Sequence, residues 1–177
     1  AYTVRSLAGL IQCIGVLPKD HAFFIPEGYN LYRSGASGTE KAKNFKTGHA
    51  AKDANVKLLG VWDTVGSLGI PIAGPIGRKL NKSHGFHDVE LGEIVKNAFH
   101  ALAIDEQRKP FKPTLWEIEP NFNQMVEQVW FAGSHTNIGG GFEKDGLANI
   151  PFRWMVDKAK GLDLEFNDQF IKFYRPW

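Results

Sequence analysis

Two short apolar segments, each followed by a polar side chain in a glycine-rich loop, restrict the fold more than any other feature of the sequence. The first, V-K-L-L-G-V-W (56–62), ends at Asp63, and the second, V-E-Q-V-W-F-A (126–132), leads into the loop that carries His135. Short segments that are apolar at nearly every position are typical of parallel strands buried on both faces. The sequence therefore predicts at least two buried strands with a polar group after each.

Helical patterns surround these two strands. The apolar residues of 1–17 recur on one helical face, a lysine-rich stretch at 40–52 is read as helical, and another pattern covers 150–160. A further helix is predicted to begin at Asp88, a natural cap. Its apolar face would be formed by Leu91, Ile94, Val95, Ala98 and Leu102. Strands that alternate with helices indicate a layered α/β fold.

Glycine and proline mark the connections between these elements. Apart from the lysine-rich stretch, residues 18–55 are read as a connecting region, and residues 64–85 as a long loop of functional size. Residues 133–141 are read as a loop that needs unusual backbone angles. The length of 177 residues is that of one domain.

Charge and cysteine content exclude several classes of protein. The 21 lysine and arginine residues are spread among 19 acidic residues, so a net charge of +2 gives no electrostatic case for nucleic-acid binding. The single cysteine, Cys13, cannot build a disulfide framework or a C-x-x-C zinc site and is read as a buried apolar residue. Neither a transmembrane run nor a signal peptide is recognisable.

The order of Asp63 and His135 points to a hydrolytic site. Reactive groups of open α/β sheets gather at the carboxyl ends of strands, and an acid followed by a histidine is the second half of the order Ser…Asp…His in α/β-hydrolases. In such a triad the histidine takes a proton from a hydroxyl, while the carboxylate fixes the histidine tautomer. Each residue also has a structural interpretation, because an aspartate after a strand often forms a turn or caps a helix.

A nucleophile for this pair is absent from the sequence. The elbow motif G-x-S-x-G does not occur in the 177 residues, and Ser37 and Ser67 lack its spacing despite their glycine neighbours. Ser34, Ser37 and Ser83 are read as polar loop residues, whereas Ser67 and Ser134 are expected to line the site. The triad is therefore incomplete within this sequence.

Several motifs in one order resemble a known family. The segment A-Y-T-V-R-S-L-A-G-L-I (1–11) resembles the one that follows the nucleophile elbow, G-F-S-R-G-A-Y-T-x-R, in the α/β-hydrolase-like family DUF2235, which includes the catalytic domain of type VI secretion phospholipase effectors of the Tle1 type. Further matches are L-G-V-W-D-T-V-G-S-L-G (59–69), F-H-D (86–88), H-A-L-A-I-D-E (100–106), P-T-L-W (113–116), V-W-F-A-G-S-H (129–135), G-G-G-F (139–142) and R-W-M-V-D (153–157). The resemblance covers about residues 1–161.

This resemblance implies a three-layer α/β-hydrolase-like fold with a mostly parallel sheet, in which Asp63 is the triad acid and His135 the general base. It places the serine nucleophile, the first strands and the oxyanion loop upstream of Ala1. Residues 1–177 would then be a single domain truncated at its N-terminus, and the chain alone is expected to be inactive.

Residues next to the pair are expected to line the site. They are Thr64, Ser67, Ser134, Asn137, Gly139 and Gly140. The sequence departs from the family at Asn137 and Asn149, where the family has aspartate. Because an amide keeps the size and hydrogen bonding of a carboxylate but not its charge, these changes leave the triad positions intact and remove any acidic role there.

Other candidates have simpler interpretations. The spacing of His84, His87 and Asp88 fits no strong metal-ligand pattern, so capping and packing are preferred, and neither a metal nor a cofactor is expected. His100 is expected to be a buried, hydrogen-bonded histidine on the helix predicted after Asp88. The tryptophans read as core aromatics are Trp62, Trp116, Trp130 and Trp154.

Two functions of different classes follow. As an enzyme, the chain would be the C-terminal part of a serine ester hydrolase of the phospholipase or lipase type. The alternative is a non-catalytic fragment or binding module that keeps a hydrolase scaffold. The resemblance implies an ester or phospholipid substrate, transient membrane contact, immunity or secretion partners, and export as a type VI effector.

Overall fold

The computed structural model describes residues 1–65, 91–117 and 123–175. Its α-helices and β-strands are α1 Tyr2–Ile14, α2 Ile25–Arg33, α3 Glu40–Gly48, β1 Leu59–Trp62, β2 Asn97–Ala103, β3 Met125–Phe131, α4 His135–Gly139, α5 Gly146–Lys160 and α6 Asp168–Ile171. Two short 3-10 helices, Lys19–Phe24 and Lys109–Phe111, lie in the connections. None of the helices in the described ranges is long and apolar enough to cross a membrane.

The three described strands form one parallel sheet in the order β1-β2-β3. Leu59 pairs with Ala98, and Ala98 in turn pairs with Val126, so β2 is central. Because the strands are parallel, their carboxyl ends meet at one edge of the sheet. The α/β class and the parallel sheet are confirmed.

The helix predicted to start at Asp88 is wrong in the part that the structure describes. Residues 97–103 form the central strand β2, and Ala98 through Ala103 are all buried. A run that is apolar at nearly every position satisfies helical spacing by chance, so its periodicity cannot separate a buried strand from a buried helix. Asp88 itself lies outside the described residues.

Helices cover both faces of the sheet. An apolar cluster on the α1 face contains Ala8, Leu59, Val61, Ala98 and Trp116. A cluster on the other face, beside α4 and α5, contains Ala101, Ala103, Ile138 and Trp154. Gly60 permits the close approach of α5, since a Cβ atom at this position would lie 2.6 Å from Met155 Sδ. The layers are therefore helix, sheet and helix.

Several predicted boundaries shift in the structure. Helix α1 ends at Ile14, before Pro18, because Gly15 adopts a left-handed φ of 71° and donates its N–H to Ile11 O. Helix α2 lies inside the region predicted to be a connection, where Pro26 occupies the first helical turn that tolerates proline. The glycine-rich loop predicted at 133–141 contains the short helix α4.

The core assignments of single residues are mostly confirmed. Cys13 is fully buried, and Trp116 is 4% exposed. Trp62 and Trp154 are partly buried against the cluster beside α4 and α5. The assignment of Trp130 is wrong, because this side chain is 48% exposed on β3, which pairs on one side only among the described strands.

Candidate active site

Asp63 follows the last residue of β1 in an unusual backbone conformation. Its φ is 38°, in the left-handed region that non-glycine residues rarely adopt. Two hydrogen bonds to β2 hold it there, from Asp63 N–H to Ala101 O at 2.7 Å and from Ala103 N–H to Asp63 Oδ1 at 3.0 Å. The carboxylate is completely buried, with its second oxygen, Oδ2, available for a partner.

His135 is that partner. It is the first residue of α4, and its Nδ1 lies 2.7 Å from Asp63 Oδ2. Because an ionised carboxylate only accepts hydrogen bonds, this contact places a proton on Nδ1 and leaves Nε2 as the basic nitrogen of the neutral ring. The His135 side chain is 31% exposed, and its Nε2 makes no hydrogen bond within the described residues.

A second histidine supports the backbone next to Asp63. His100, on β2, is fully buried, and its Nε2 accepts the Thr64 N–H at 3.0 Å. Burial lowers the pKa of His100 from 6.5 to about 4; a hydrogen bond from its side chain to Gln128 opposes this shift, and the positive charges of Arg5 and the Ala1 amino group add to it. A neutral His100 therefore acts as an acceptor. Its predicted burial and hydrogen bonding are confirmed, although it lies on a strand.

A turn after β2 also contacts His135. Glu106 Oε2 accepts the His135 N–H at 3.2 Å, and the ring of Phe111 lies edge-on to the His135 ring with centroids 4.9 Å apart. The guanidinium of Arg108 binds Glu106 and lies 4.0 Å from the Phe111 ring centroid. Sequence reasoning noted the I-D-E motif but missed these three residues, since contacts to a backbone N–H and to a ring edge leave no spacing pattern.

The arrangement combines a buried carboxylate, an oriented imidazole and a ring nitrogen without a partner among the described residues, all at the carboxyl ends of parallel strands. A sequence model of the family "T6SS, Phospholipase effector Tle1-like, catalytic domain" matches residues 1–158. The chain belongs to this family. Searches of curated proteins and of solved structures gave no match.

The predicted lining residues of this Tle1-like domain fall into different environments. Thr64 is buried beneath Asp63 and contacts His100 through its backbone, whereas Ser134 and Asn137 cap helix α4. Gly139 and Gly140 border a cavity of about 330 Å³. The aromatic residues that line the same cavity are Trp62, Phe142, Phe152 and Tyr174. Ser67, His84 and His87 lie outside the described residues.

The two asparagines that depart from the family make opposite kinds of hydrogen bond. Asn137 uses only its oxygen, which accepts both the N–H and the hydroxyl of Ser134 at 3.0 Å. Asn149 uses only its amide nitrogen, which donates to Asp145 Oδ1 at 3.2 Å and to Arg175 O at 3.0 Å. A carboxylate could replace the first amide but not the second, because it has no donor.

Proposed function

We propose that the protein is a serine ester hydrolase of the phospholipase type in which His135 is the general base and Asp63 the triad acid. The observation that carries this proposal is the 2.7 Å contact between His135 Nδ1 and the buried carboxylate of Asp63. The contact orients the ring, and the carboxylate stabilises the imidazolium that forms when Nε2 takes a proton.

The reaction follows from this orientation. His135 Nε2 accepts the proton of the serine hydroxyl as the serine oxygen attacks the ester carbonyl, and it then protonates the departing alcohol. Water repeats the cycle on the acyl-enzyme: Nε2 takes a proton from the attacking water and returns it to the departing serine oxygen, which releases the fatty acid. Asp63 acts by holding the tautomer of the ring and by stabilising the imidazolium.

The serine is proposed to lie in a segment that precedes Ala1, three residues before it in the resembling elbow G-F-S-R-G-A-Y-T. The position of α1 supports this placement. The guanidinium of Arg5 donates to Thr114 O at 2.8 Å, and Thr114 in turn donates its N–H to Thr64 O at 2.7 Å, so the start of α1 is tied to the residue after Asp63.

Membership of a family of phospholipase effectors supports a phospholipid ester as the substrate and export by type VI secretion. The cavity of about 330 Å³ with aromatic walls lies beside α4, the helix that His135 begins, and is of a size suited to part of an acyl chain. Contact with a membrane surface during catalysis follows from such a substrate.

The test uses the protein together with its preceding segment. Wild type and His135→Ala are compared on short acyl esters and on phospholipid vesicles. We expect hydrolysis by the wild type and a loss of about 10³-fold or more in kcat for His135→Ala. Equal rates for the two proteins would refute the assignment of His135.

A serine-reactive phosphonate separates the enzyme from a binding module that only keeps the scaffold. The longer protein is expected to be labelled once, at the elbow serine, while the 177-residue chain remains unlabelled. Labelling of the 177-residue chain would contradict the proposed position of the nucleophile. Absence of labelling in the longer protein, together with absent hydrolysis, would favour the binding module.

A further inference from the structure

The end of β2 and the turn after it have no role in the proposed reaction, yet they form hydrogen bonds with both Asp63 and His135. Ala103, the last residue of β2, donates its N–H to Asp63 Oδ1. Three residues later, Glu106 accepts the N–H of His135. Since the two contacts belong to the same short stretch of chain, the distance between Asp63 and His135 is set by the end of β2.

Side chains in this turn continue the hydrogen bonding of the sheet. Ile104 N–H still bonds to Phe131 O at 3.0 Å, as in the parallel ladder, and Asp105 N–H bonds to Gly133 O at 3.1 Å. The Asp105 carboxylate then accepts the Gly133 N–H at 2.7 Å, and Glu106 accepts the N–H two residues further on. The loop that carries His135 is thus fixed to β2 at alternate residues.

Glu106 is a strong acceptor because it is ionised and covered. Its side chain is only 2% exposed, and Arg108 binds it with Nε at 2.8 Å, with Nη2 at 2.6 Å and with its backbone N–H at 2.8 Å. These bonds, chiefly those from the guanidinium, lower the pKa of Glu106 to about 2. Hydrogen bonds to ionised acceptors are roughly twice as strong as those between neutral groups.

The same carboxylate reaches the ring of His135 by a second route. It holds the Arg108 guanidinium 4.0 Å from the Phe111 ring centroid, and the Phe111 ring lies edge-on against the His135 ring. Phe111 therefore covers one side of the imidazole. Glu106 thus contacts the backbone of His135 directly and its ring indirectly, through Arg108 and Phe111.

We infer that Glu106 is a positioning residue for His135, which fixes the backbone of the histidine directly and its ring through Arg108 and Phe111. This inference rests on the proposed role of His135 as the general base. Glu106 is inferred to act through His135 and not on the substrate. Its contribution is to keep His135 Nε2 in line for proton transfer, where a displacement of about 1 Å costs on the order of 10²-fold in rate.

The test uses the protein together with its preceding segment and compares Glu106→Gln with Glu40→Gln, a control with the same change at an ion-paired side chain that is 76% exposed on α3. In Glu106→Gln the amide cannot accept from Arg108 and His135 with both of its terminal atoms. We expect kcat to fall about 10- to 100-fold while KM stays within about twofold, and the control to match wild type. Unchanged kcat in Glu106→Gln would overturn the inference.

A second readout does not depend on activity. The Nδ1 proton of His135, bound to Asp63 at 2.7 Å, is observed by NMR of the same protein with ¹⁵N-labelled histidine. We expect its resonance to shift or broaden in Glu106→Gln and to be unchanged in Glu40→Gln. If Glu106→Gln does not fold, Arg108→Gln, which keeps the carboxylate but releases the Phe111 ring, is measured instead, and an unchanged resonance there overturns the inference.

These two readouts separate the inference from the proposed function. If His135→Ala hydrolyses esters as fast as wild type, the proposed function fails, but the response of the Nδ1 resonance still reports whether Glu106 positions His135. If His135→Ala is inactive and Glu106→Gln leaves both kcat and the resonance unchanged, only the inference about Glu106 fails.

Discussion

His100 Nε2 accepts the backbone N–H of Thr64 at 3.0 Å, so a buried histidine holds the residue that follows Asp63. This bond needs a neutral ring with its proton on Nδ1, the nitrogen that faces Gln128 Oε1 at 3.4 Å. Burial lowers the pKa of His100 from 6.5 to about 4, which keeps the ring in this neutral form near pH 7. The stability of the fold is therefore linked to pH through this residue.

The first prediction concerns that linkage. Between pH 6.5 and about 4 the unfolded chain binds a proton at His100 that the folded chain does not, so the free energy of unfolding falls as the pH is lowered through this window. The contribution of His100 amounts to about 3 kcal/mol across the window. Urea unfolding of wild type and His100→Gln at several pH values measures it.

His100→Gln removes the titrating ring but keeps an acceptor in the strand. We expect lower stability near pH 7 and a smaller fall in stability between pH 6.5 and 4 than in wild type. The matched control is His49→Gln, the same change at a histidine outside the sheet, measured over the same pH range. Parallel stability curves for wild type and His100→Gln would contradict the linkage.

The second prediction tests the proposed role of Asp63 without removing its structural bond. Asp63→Asn keeps an oxygen that can accept from Ala103 N–H, yet its amide no longer stabilises the imidazolium of His135. We expect kcat to fall by on the order of 10⁴-fold, with a much smaller change in the free energy of unfolding. Ester hydrolysis and urea unfolding are measured on the same preparations of the protein with its preceding segment.

Asp163→Asn is a close control for Asp63→Asn. Asp163 also has a left-handed φ, 65°, but its side chain is 91% exposed and paired with Lys57. Its variant should keep wild-type activity. If Asp163→Asn and Asp63→Asn lowered kcat equally, the effect would not belong to the carboxylate beside His135.

The sequence predicts the two flanking strands and the candidate pair Asp63 and His135, but it does not predict the central strand. Residues 56–62 and 126–132 predict strands because each is a short apolar segment that leads into a polar, glycine-rich loop. No turn residue directly precedes β2 in the sequence, and the apolar positions of this segment also fit the spacing of a helix. Asn97–Ala103 is extended because it pairs with β1 on one edge and with β3 on the other.

The sequence also selected Asp63 and His135 while missing how they are held. Their selection needed only residue type and position after a strand, and both are visible in a sequence. The left-handed backbone of Asp63 and the contact from Glu106 to the His135 N–H depend on the register of neighbouring strands, which no local pattern encodes. The three residues around His135 that were missed therefore all act through tertiary contacts.

The third prediction uses the two asparagines as a matched pair. Asn137→Asp keeps the acceptor for Ser134 at the start of α4, and a negative charge there is favourable, so stability should be unchanged or slightly higher. Asn149→Asp loses a donor to Arg175 O and places a second carboxylate against Asp145, in a residue that is 5% exposed. We expect a loss of about 1–3 kcal/mol.

Thermal unfolding of the two variants checks this difference. Asn149 ties Arg175 to α5, so Asn149→Asp should also speed proteolysis of the C-terminal segment, while Asn137→Asp should not. Equal stability of the two variants would show that the donor role of Asn149 contributes little.

The last prediction concerns Gly133, which begins the loop to His135. Its φ is 116°, and a Cβ atom there would lie 2.4 Å from Asn137 Cβ, so alanine is excluded both by the backbone and by α4. We expect Gly133→Ala to cost about 1–3 kcal/mol and, because the loop carries His135, to lower kcat as well. Gly48→Ala, at the exposed end of α3 where a Cβ meets no atom within 4 Å, should keep activity and be at least as stable as wild type. Urea unfolding and ester hydrolysis are measured for both variants. Wild-type activity in a destabilised Gly133→Ala would mean that the loop tolerates displacement and does not set the position of His135.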